Sequence, residues 1–413
     1  MTLRIDMARL QADVEALSAI GRQQDMGLYR MAFSPGDMEA RVWFQQRLAD
    51  AGLEIFVDGA ANVHGRLAWD GKTASVMTGS HLDTIPGAGH LDGALGVVVG
   101  LECLRRIREL ALPLSRPLEV VAFSDEEGRF GGMFGSQAIC GHVTPQSIHD
   151  ARDLNGVSLM DAMAGVDLNA MDALRARRSR ESVHAFVELH IEQGPILERR
   201  GIPVGAVHAI AGLFKWDVRF IGQANHAGTT PMDMRQDAFQ AVAEIACAIP
   251  RLLEENGGPQ SVATIGRVEL SPGAANVVPG MAEFSLEVRD TDGAVLAELA
   301  GAFRRAMSAI ARRRALMFEF DVLSEIEPVK CDAGIVDIIE AAAAELGVEC
   351  LHMASGAAHD TQIMAGITRA GMVFVPSQAG RSHSPAEWTP WEDIETGANV
   401  LLNTLTRLAQ VNA

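Results

Sequence analysis

The chain has 413 residues, a length typical of two or three domains, and hydrophobic residues make up 48% of it. Charged residues make up 21%, an ordinary globular balance that excludes disorder over most of the chain. Lys and Arg number 35 against 53 Asp and Glu, which gives a net charge of −18. This acidity argues against nucleic acid and anionic membrane surfaces as partners, because both attract basic protein faces.

The five cysteines, an odd number, include no Cys-x-x-Cys pair. This usage fits neither a disulfide framework nor a zinc ribbon, and it favours a reducing compartment. The first residues carry charges where a signal peptide needs an apolar stretch. No window holds the ~18 uncharged apolar residues of a membrane span. We therefore expect a cytoplasmic protein that does not cross a membrane.

The N-terminal part of the chain alternates helical and strand-like segments. An amphipathic helix is predicted over 5–22, and a second helix begins where Ser34 can cap it and ends near Gly52. A further helix is predicted over 93–109, and short apolar runs predict strands at 54–57, 62–67, 74–79 and 118–123. Apolar strands that alternate with helices indicate an α/β layer with a largely buried sheet.

A different rhythm begins near residue 212, where Trp216, Val218 and Phe220 alternate onto one face of a strand. The order from there is strand, helix, strand, strand, helix, strand, which is typical of a ferredoxin-like unit. We predict an α/β domain with a central, mostly parallel sheet flanked by helices, formed by residues 1–211 and 328–413. A smaller ferredoxin-like α+β domain, 212–327, interrupts it.

Four short segments concentrate histidine and carboxylate side chains beside glycine. They are residues 79–93, 124–130, 188–195 and 380–385. Three of them follow strand-like apolar runs and end in turn residues. In an open α/β sheet, binding sites form at the carboxyl ends of the strands, so we expect these segments to build one site.

The residue types in these segments suit a hydrolytic site with two metal ions. Such a site needs neutral imidazoles, terminal carboxylates and one carboxylate that bridges both ions. The candidate ligands are His81, Asp92, Glu127, His190 and His383. Glu126 is the candidate for a carboxylate that moves protons, and Asp83 is the candidate to orient the His81 imidazole. A single histidine is more often structural than a metal ligand, and an acidic pair is usually on the surface. The prediction of a metal site therefore depends on all of these residues together.

Taken together, the segments resemble the metal-dependent amidohydrolases that include N-carbamoyl-L-amino acid hydrolase, β-ureidopropionase and allantoate amidohydrolase. These enzymes belong with the aminoacylase and carboxypeptidase-like dinuclear metallohydrolases. The resemblance runs from Ala40-Arg41 to the final helix. The shared motifs are Gly-Ser-His-Leu-Asp-Thr, Leu-Asp-Gly-Ala-Leu-Gly, Asp-Glu-Glu-Gly, His-Ile-Glu-Gln-Gly-Pro and Ser-His-Ser-Pro.

The resemblance implies two divalent ions per subunit, zinc or manganese. His81 and His190 would bind one ion, Glu127 and His383 the other, and Asp92 would bridge them. Glu126 would be the general base and later the proton donor. The resemblance also implies that the inserted domain dimerises and acts as a lid.

The inserted domain also carries polar residues that match positions of this family. The segment with His226 matches one whose histidine reaches a reaction centre, often across a dimer. Asn276 and Arg289 match positions that hold the carboxylate of the substrate, a role that suits the bidentate fork of arginine. Gln193, outside the inserted domain, matches another position that contacts the substrate. The alternatives are a turn histidine, a turn asparagine and a strand-end arginine paired with a surface acid. His359 falls in a segment resembling one that lines the site, but we assign it no role.

The chain departs from the family pattern at two places. Gly128 is followed directly by Arg129, whereas many relatives have one more residue between them. This loop follows the candidate ligand Glu127, so we expect a different shape at the rim of the substrate pocket. Arg381 adds a cation two residues before His383. Our hypothesis is that Arg381 favours a second anionic group on the substrate; the alternative is that it faces water.

The predicted reaction is hydrolysis of the carbamoyl C–N bond of an N-carbamoyl-L-amino acid or related ureido acid, giving amino acid, carbon dioxide and ammonia. The first alternative is allantoate amidohydrolase activity. The alternative of another class is a non-catalytic binding protein that kept the fold, but the complete set of ligand types weighs against it.

Overall fold

The structure is a computed structural model that describes residues 2–410. The chain divides into two compact units. The first runs up to His208 and resumes over Cys331–Met353 and from His359 onward. The second comprises Ala209–Lys330 and Ala354–Ala358, a range that contains the predicted inserted domain, 212–327.

The helices and strands follow the predicted order with shifts of a few residues at their ends. The helices are α1 Met7–Ala19, α2 Pro35–Asp50, α3 Ala94–Glu109, α4 Phe134–Cys140, α5 Pro145–Asp150, α6 Leu159–Ala164, α7 Ile196–Arg200, α8 Ala238–Asn256, α9 Gly293–Arg313, α10 Ala333–Glu345, α11 Asp360–Met364 and α12 Trp391–Gln410. The strands are β1 Glu54–Val57, β2 Val63–Leu67, β3 Ser75–His81, β4 Leu118–Phe123, β5 Val183–Ile191, β6 Val204–Ile210, β7 Gly212–Ile221, β8 Asn225–His226, β9 Val262–Thr264, β10 Val268–Ser271, β11 Val277–Val278, β12 Met281–Asp290, β13 Met317–Ile326, β14 Val329–Lys330, β15 Cys350–Ser355 and β16 Arg369–Val375.

The larger sheet is mixed, with strand order β1-β2-β4-β3-β5-β16-β6-β14 and with β15 beside β6. Its four central strands, β4, β3, β5 and β16, pair in parallel. The strands β1, β2 and β6 pair antiparallel with their neighbours, so the predicted mostly parallel sheet is correct for the centre only. A short link from β1 to β2 allows only a hairpin, because parallel neighbours need a long crossover. Every residue of β3 and β4 is buried, which explains their apolar runs.

The second unit is an antiparallel sheet with strand order β10-β12-β7-β13. Phe214, Trp216, Val218 and Phe220 of β7 are buried in one hydrophobic core with residues of α8 and α9, as their alternation predicts. Where the predicted order has one strand directly after the first helix, the structure has two short strands, β9 and β10, which both pair with β12. The element order is compatible with the predicted ferredoxin-like unit.

Two predictions from composition concern the whole chain. All five cysteines are free thiols. Among residues 2–410, we find no helix that combines the length and the apolar character needed to cross a membrane.

Strand β4, which leads into the acidic segment 124–130, is anchored by a buried carboxylate. Glu119 accepts hydrogen bonds from Arg66 Nε at 3.0 Å and Ser75 Oγ at 3.1 Å, and lies 3.2 Å from Arg178 Nη1. Burial alone would raise the pKa of Glu119, but contact with His64 and the charges of the two arginines hold it below its usual range. The carboxylate therefore stays ionised inside the fold.

We expect Glu119→Gln to lower the free energy of unfolding by about 3 kcal/mol at pH 7, because it leaves buried cations uncompensated. A carboxyl group whose folded pKa is depressed stabilises the fold above its unfolded pKa, and this contribution is lost as pH falls. The difference in free energy of unfolding between the wild type and Glu119→Gln should therefore become smaller below about pH 4.5. Urea unfolding of both proteins without metal, at pH 7 and at pH 3.5, measures this difference. Glu54→Gln removes an exposed partner of Arg66 and is the control; equal losses in both variants would contradict the prediction.

Candidate metal centre

The predicted ligands lie at one edge of the larger sheet. His81 is the last residue of β3, Glu127 follows β4 by four residues, and His190 is the penultimate residue of β5. These three strands are parallel neighbours, so their carboxyl ends share one edge. Asp92 lies in the loop before α3, and His383 in the loop after β16. The structure brings all five side chains together.

The imidazole of His81 is oriented by a backbone carbonyl. Its Nδ1 lies 3.0 Å from Asp83 O, so Nδ1 carries the donated proton and Nε2 keeps its lone pair. Nε2 faces Asp92 Oδ1 at 3.7 Å and Glu126 Oε2 at 3.4 Å. The contact comes from Asp83, as predicted, and it is made by the backbone carbonyl group. The Asp83 carboxylate points to the loop after β4 and accepts the backbone N–H groups of Glu126, at 3.3 Å, and Glu127, at 3.1 Å.

His190 is arranged in the same way. Its Nδ1 lies 2.9 Å from Ile191 O, and its Nε2 lies 3.1 Å from Asp92 Oδ1. The Nε2 atoms of His81 and His190 therefore face the same oxygen of Asp92. Ligand atoms of these three residues all lie within 4.8 Å of one another.

The other oxygen of Asp92 faces a second group. Asp92 Oδ2 lies 3.4 Å from His383 Nε2, and Glu127 Oε2 lies 3.5 Å from the same nitrogen. Ligand atoms of these three residues also lie within 4.8 Å of one another. Oε1 of Glu127 is buried and has no hydrogen-bond partner among the described residues. Asp92 thus has one oxygen toward each group, as a carboxylate that bridges two ions requires.

The electrostatics of the cluster favour a cation. Burial and the neighbouring carboxylate of Glu127 raise the pKa of Glu126, while burial and Asp92 raise the pKa of Glu127. Burial opposes the ionisation of Asp92, but contact with His190 and His81 outweighs it and lowers the pKa of Asp92. Burial would also lower the pKa of His190, yet its hydrogen bond to Asp92 raises it to about 9. These raised pKa values favour protonation of Glu126, Glu127 and His190 in the metal-free protein, and bound cations would replace those protons. The nitrogen and oxygen donors of the cluster fit divalent ions.

Close packing around the cluster requires glycine at position 93. Its φ is +62°, and a Cβ there would lie 2.4 Å from the ring of His81. Asp125, Gln193 and His383 also have positive φ, between 50° and 58°. Left-handed backbone at such residues costs about 1 kcal/mol each, a strain that clusters at functional sites.

Two supporting residues were not predicted. Glu387 is buried, and its Oε1 accepts the backbone N–H groups of Leu91 at 2.8 Å and Asp92 at 3.1 Å. Ser382 Oγ donates to Asp92 Oδ2 at 2.7 Å and lies 3.3 Å from Glu387 Oε2. Glu387 lies four residues after His383, but only the fold shows that it reaches the loop of Asp92. These residues fix the orientation of the central carboxylate.

Gln193, predicted to contact substrate, contacts the central carboxylate in this structure. Its Nε2 donates to Asp92 Oδ2 at 2.8 Å and to Ser382 Oγ at 3.1 Å. Its Oε1 is buried without a hydrogen-bond partner among the described residues. The amide is therefore anchored through its nitrogen and keeps one acceptor for a further group.

His359, which received no predicted role, lies behind His190. The two rings meet edge to face with centroids 4.5 Å apart, and His359 is buried. Next to it, Glu188 accepts the hydroxyl groups of Ser80 and Thr361, both at 2.6 Å. This buried layer packs against His190 and restricts its ring.

The remaining predicted residues lie in the second unit, apart from Arg381, which is an exposed residue of the first. His226 and Asn276 are exposed and adjacent, because Ala227 N donates to Asn276 O at 2.9 Å. Arg289, on β12, donates to Glu287 Oε1 at 2.9 Å and to Gly356 O at 2.7 Å.

The family model described as Peptidase family M20/M25/M40 matches residues 77–407, and the chain belongs to this family of metal-dependent enzymes. An N-carbamoyl-L-amino acid amidohydrolase of Geobacillus stearothermophilus is 39% identical over 97% of this chain and 98% of its own. An allantoate amidohydrolase of Escherichia coli is 36% identical over 95% of this chain and 96% of its own. The crystal structure of an amidase of the hydantoinase/carbamoylase family from Burkholderia multivorans superposes with a TM-score of 0.93, at 32% identity over 99% of both chains.

We expect Glu387→Ala to weaken metal binding about 10- to 100-fold, because the loop of Asp92 loses its anchor. Glu387→Gln should recover part of the affinity, since an amide oxygen still accepts both backbone N–H groups. Competition with a chelator measures the effect on purified protein. Glu392→Ala, at an exposed acid of α12, is the control. Wild-type affinity in the alanine variant would show that Glu387 plays no part in positioning Asp92.

Proposed function

We propose that the protein is a metal-dependent amidohydrolase that cleaves the ureido C–N bond of N-carbamoyl-L-amino acids or related ureido acids. The products are the amino acid, carbon dioxide and ammonia. The observation that carries the proposal is the placement of two ligand groups on opposite oxygens of Asp92, with Glu126 beside them. Relatives named for this chemistry match the chain over nearly its whole length.

We further propose two divalent ions, zinc or manganese, in each subunit. His81 and His190 would hold one ion, Glu127 and His383 would hold the other, and Asp92 would contact both. When bound, such ions lower the pKa of a shared water and polarise a carbonyl oxygen. A donor set without thiolate suits both zinc and manganese.

Glu126 is the proposed general base. It is not needed as a ligand in either group, and its Oε2 lies 3.4 Å from His81 Nε2. Burial and the Glu127 carboxylate raise its pKa, which increases its affinity for a proton taken from water. The same carboxyl group then delivers this proton to the leaving nitrogen of the ureido group.

His226 is the proposed donor to the oxyanion of the tetrahedral intermediate. Its Nδ1 accepts the Gly228 N–H at 3.0 Å, so a neutral ring carries its proton on Nε2. An oriented N–H of this kind stabilises developing negative charge without reorganisation.

Arg289 and Asn276 are the proposed contacts of the substrate carboxylate, and Gln193 is a further proposed substrate contact. Arg289 already holds one carboxylate, that of Glu287, through its Nε and Nη2 atoms at 2.9 and 2.8 Å. A substrate carboxylate would share or replace this partner, since a guanidinium group binds carboxylates through paired donors. Gln193 Oε1 is the acceptor that its anchored amide leaves available, and it can receive an N–H group of the substrate's ureido group.

We propose a homodimer formed through the second unit. β13 ends the strand order of its sheet, and it exposes Met317, Val322 and Leu323. An edge strand of ten residues with apolar side chains is a template for pairing with a second copy. We propose neither nucleic acid nor an anionic membrane as a partner, because the net charge of the chain is acidic. The cysteine usage favours a location in the cytoplasm.

The rival substrate is allantoate, because an allantoate amidohydrolase matches the chain nearly as well as the N-carbamoyl-L-amino acid enzyme. A non-catalytic binding protein is the alternative of another class. The intact arrangement around Asp92 argues against it, since a binding protein does not need a buried base beside two ligand groups.

The proposal is tested with protein stripped of metal and restored with zinc or manganese. Ammonia release is measured with N-carbamoyl-L-amino acids, 3-ureidopropionate and allantoate, and free amine is followed with N-acetyl amino acids. We expect turnover of a ureido acid that depends on metal. Glu126→Gln should lower kcat by about 10²- to 10⁴-fold, the usual contribution of a general base, with metal content unchanged.

The outcomes separate the candidates. Turnover of allantoate alone would favour the rival substrate. Two bound ions without ureido hydrolysis would contradict the proposed reaction, and a protein that binds no metal would favour the binding-protein alternative.

A second prediction concerns the substrate carboxylate. Arg289→Lys should raise KM about tenfold for N-carbamoyl amino acids, because lysine cannot form the paired contact. The corresponding N-carbamoyl amino acid amides, which lack the carboxylate, should be affected much less. Arg267→Lys alters an exposed arginine of the same unit that pairs with Asp217, and it is the control. Equal effects on acids and amides would show that Arg289 does not bind the carboxylate.

A further inference from the structure

A cavity of about 450 Å³ in the first unit borders the candidate metal centre. Four chain segments line it: 31–35, 83–86, 127–129 and 153–155. Most of the lining is apolar, from Met31, Phe33, Pro35, Ile85, Pro86 and Leu154. The volume lies in the range of small-molecule sites, which are concave and mainly apolar.

The cavity shares Glu127 with the candidate metal centre. This proposed ligand and Asp83, whose carboxylate accepts the Glu127 N–H, both belong to the lining. A ureido acid held at the centre therefore has one substituent next to the cavity. The ureido and carboxylate groups are accounted for by other residues, so the substituent that remains is the amino acid side chain.

The one cation of the lining, Arg129, is already paired with a carboxylate. Its Nε and Nη2 donate to Asp153 Oδ2 at 3.2 and 3.1 Å, and its Nη1 donates to Ala32 O at 2.6 Å. The other oxygen of Asp153 accepts the backbone N–H groups of Asn155 and Val157. The charge of Arg129 is thus paired with Asp153, and each of its three nitrogens already makes a hydrogen bond.

We propose that this cavity receives the substrate side chain and selects uncharged, apolar side chains, with the Arg129–Asp153 pair as the element that sets this preference. The inference rests on the proposed function. Each further methylene group of an apolar side chain that is buried in the cavity should raise kcat/KM for that substrate about fourfold. A side-chain carboxylate in the same place would lie near Asp153, Asp83 and Glu127, and the one cation of the lining is already paired with Asp153, an arrangement that disfavours it.

This assignment opposes the hypothesis that Arg381 favours a second anionic group. Arg381 is exposed and does not belong to the lining of the cavity. The two ideas predict opposite rankings of neutral and acidic side chains, and one substrate series separates them.

The test compares kcat/KM of metal-restored enzyme for the N-carbamoyl derivatives of L-alanine, L-norleucine, L-glutamine and L-glutamate. For the wild type, we expect norleucine to exceed alanine by at least about tenfold. Glutamine should exceed glutamate, which has the same shape but carries a charge.

Asp153→Asn frees the charge of Arg129 while keeping an Oδ1 acceptor for the backbone of residues 155 and 157. The ratio of glutamate to norleucine should rise about tenfold, because the cavity then holds an uncompensated cation. Leu154→Arg, at an exposed position of the lining, adds a cation without disturbing buried structure and should shift the ratio the same way. Asp172→Asn removes a surface partner of Arg175 and is the control, with no expected change.

An unchanged ratio in both Asp153→Asn and Leu154→Arg would overturn the assignment of the cavity, as would a wild type that prefers glutamate over glutamine. In both cases the wild type still hydrolyses ureido acids, so the proposed function stands. A wild type that binds metal but hydrolyses no ureido acid would overturn the proposed function and this inference together.

Discussion

Repulsion among buried carboxylates is the constraint on which the rest of the site depends. Asp92, Glu126 and Glu127 crowd one sheet edge with little water to screen them, and burial raises the pKa of both glutamates. Such a cluster is stable only if protons or cations compensate its charge. Imidazoles on both sides of Asp92 direct this compensation to two defined places. Metal binding then replaces protons, which couples the occupancy of the site to pH.

The fold makes this arrangement possible through its parallel centre. β3, β4 and β5 end at the same edge, so residues more than 100 positions apart in the chain meet there. The supporting contacts come mainly from the backbone: carbonyl groups orient the imidazoles of His81 and His190, and Glu387 holds the N–H groups of the Asp92 loop. Rigid elements and a supporting layer of hydrogen bonds are what a metal site needs to keep its geometry.

Sequence alone predicts the elements and the donor atoms well, because both leave local patterns. The alternation of Trp216, Val218 and Phe220 marks a half-buried strand, and glycine beside histidine and acid marks a site at a strand end. Contacts across the fold leave no such pattern. The spacing predicts that Asp83 orients His81, but it does not reveal that the backbone carbonyl group, rather than the side chain, makes the contact. Glu387, Ser382 and the neutralised Arg129 became visible only when distant segments were placed side by side.

We propose that Asp92 bridges two metal ions. Anomalous diffraction from zinc-loaded crystals, recorded above and below the zinc absorption edge, is the decisive measurement. We expect two peaks on opposite sides of Asp92, one in contact with His81 and His190 and the other with Glu127 and His383. A single peak, or peaks that do not contact Asp92, would contradict it.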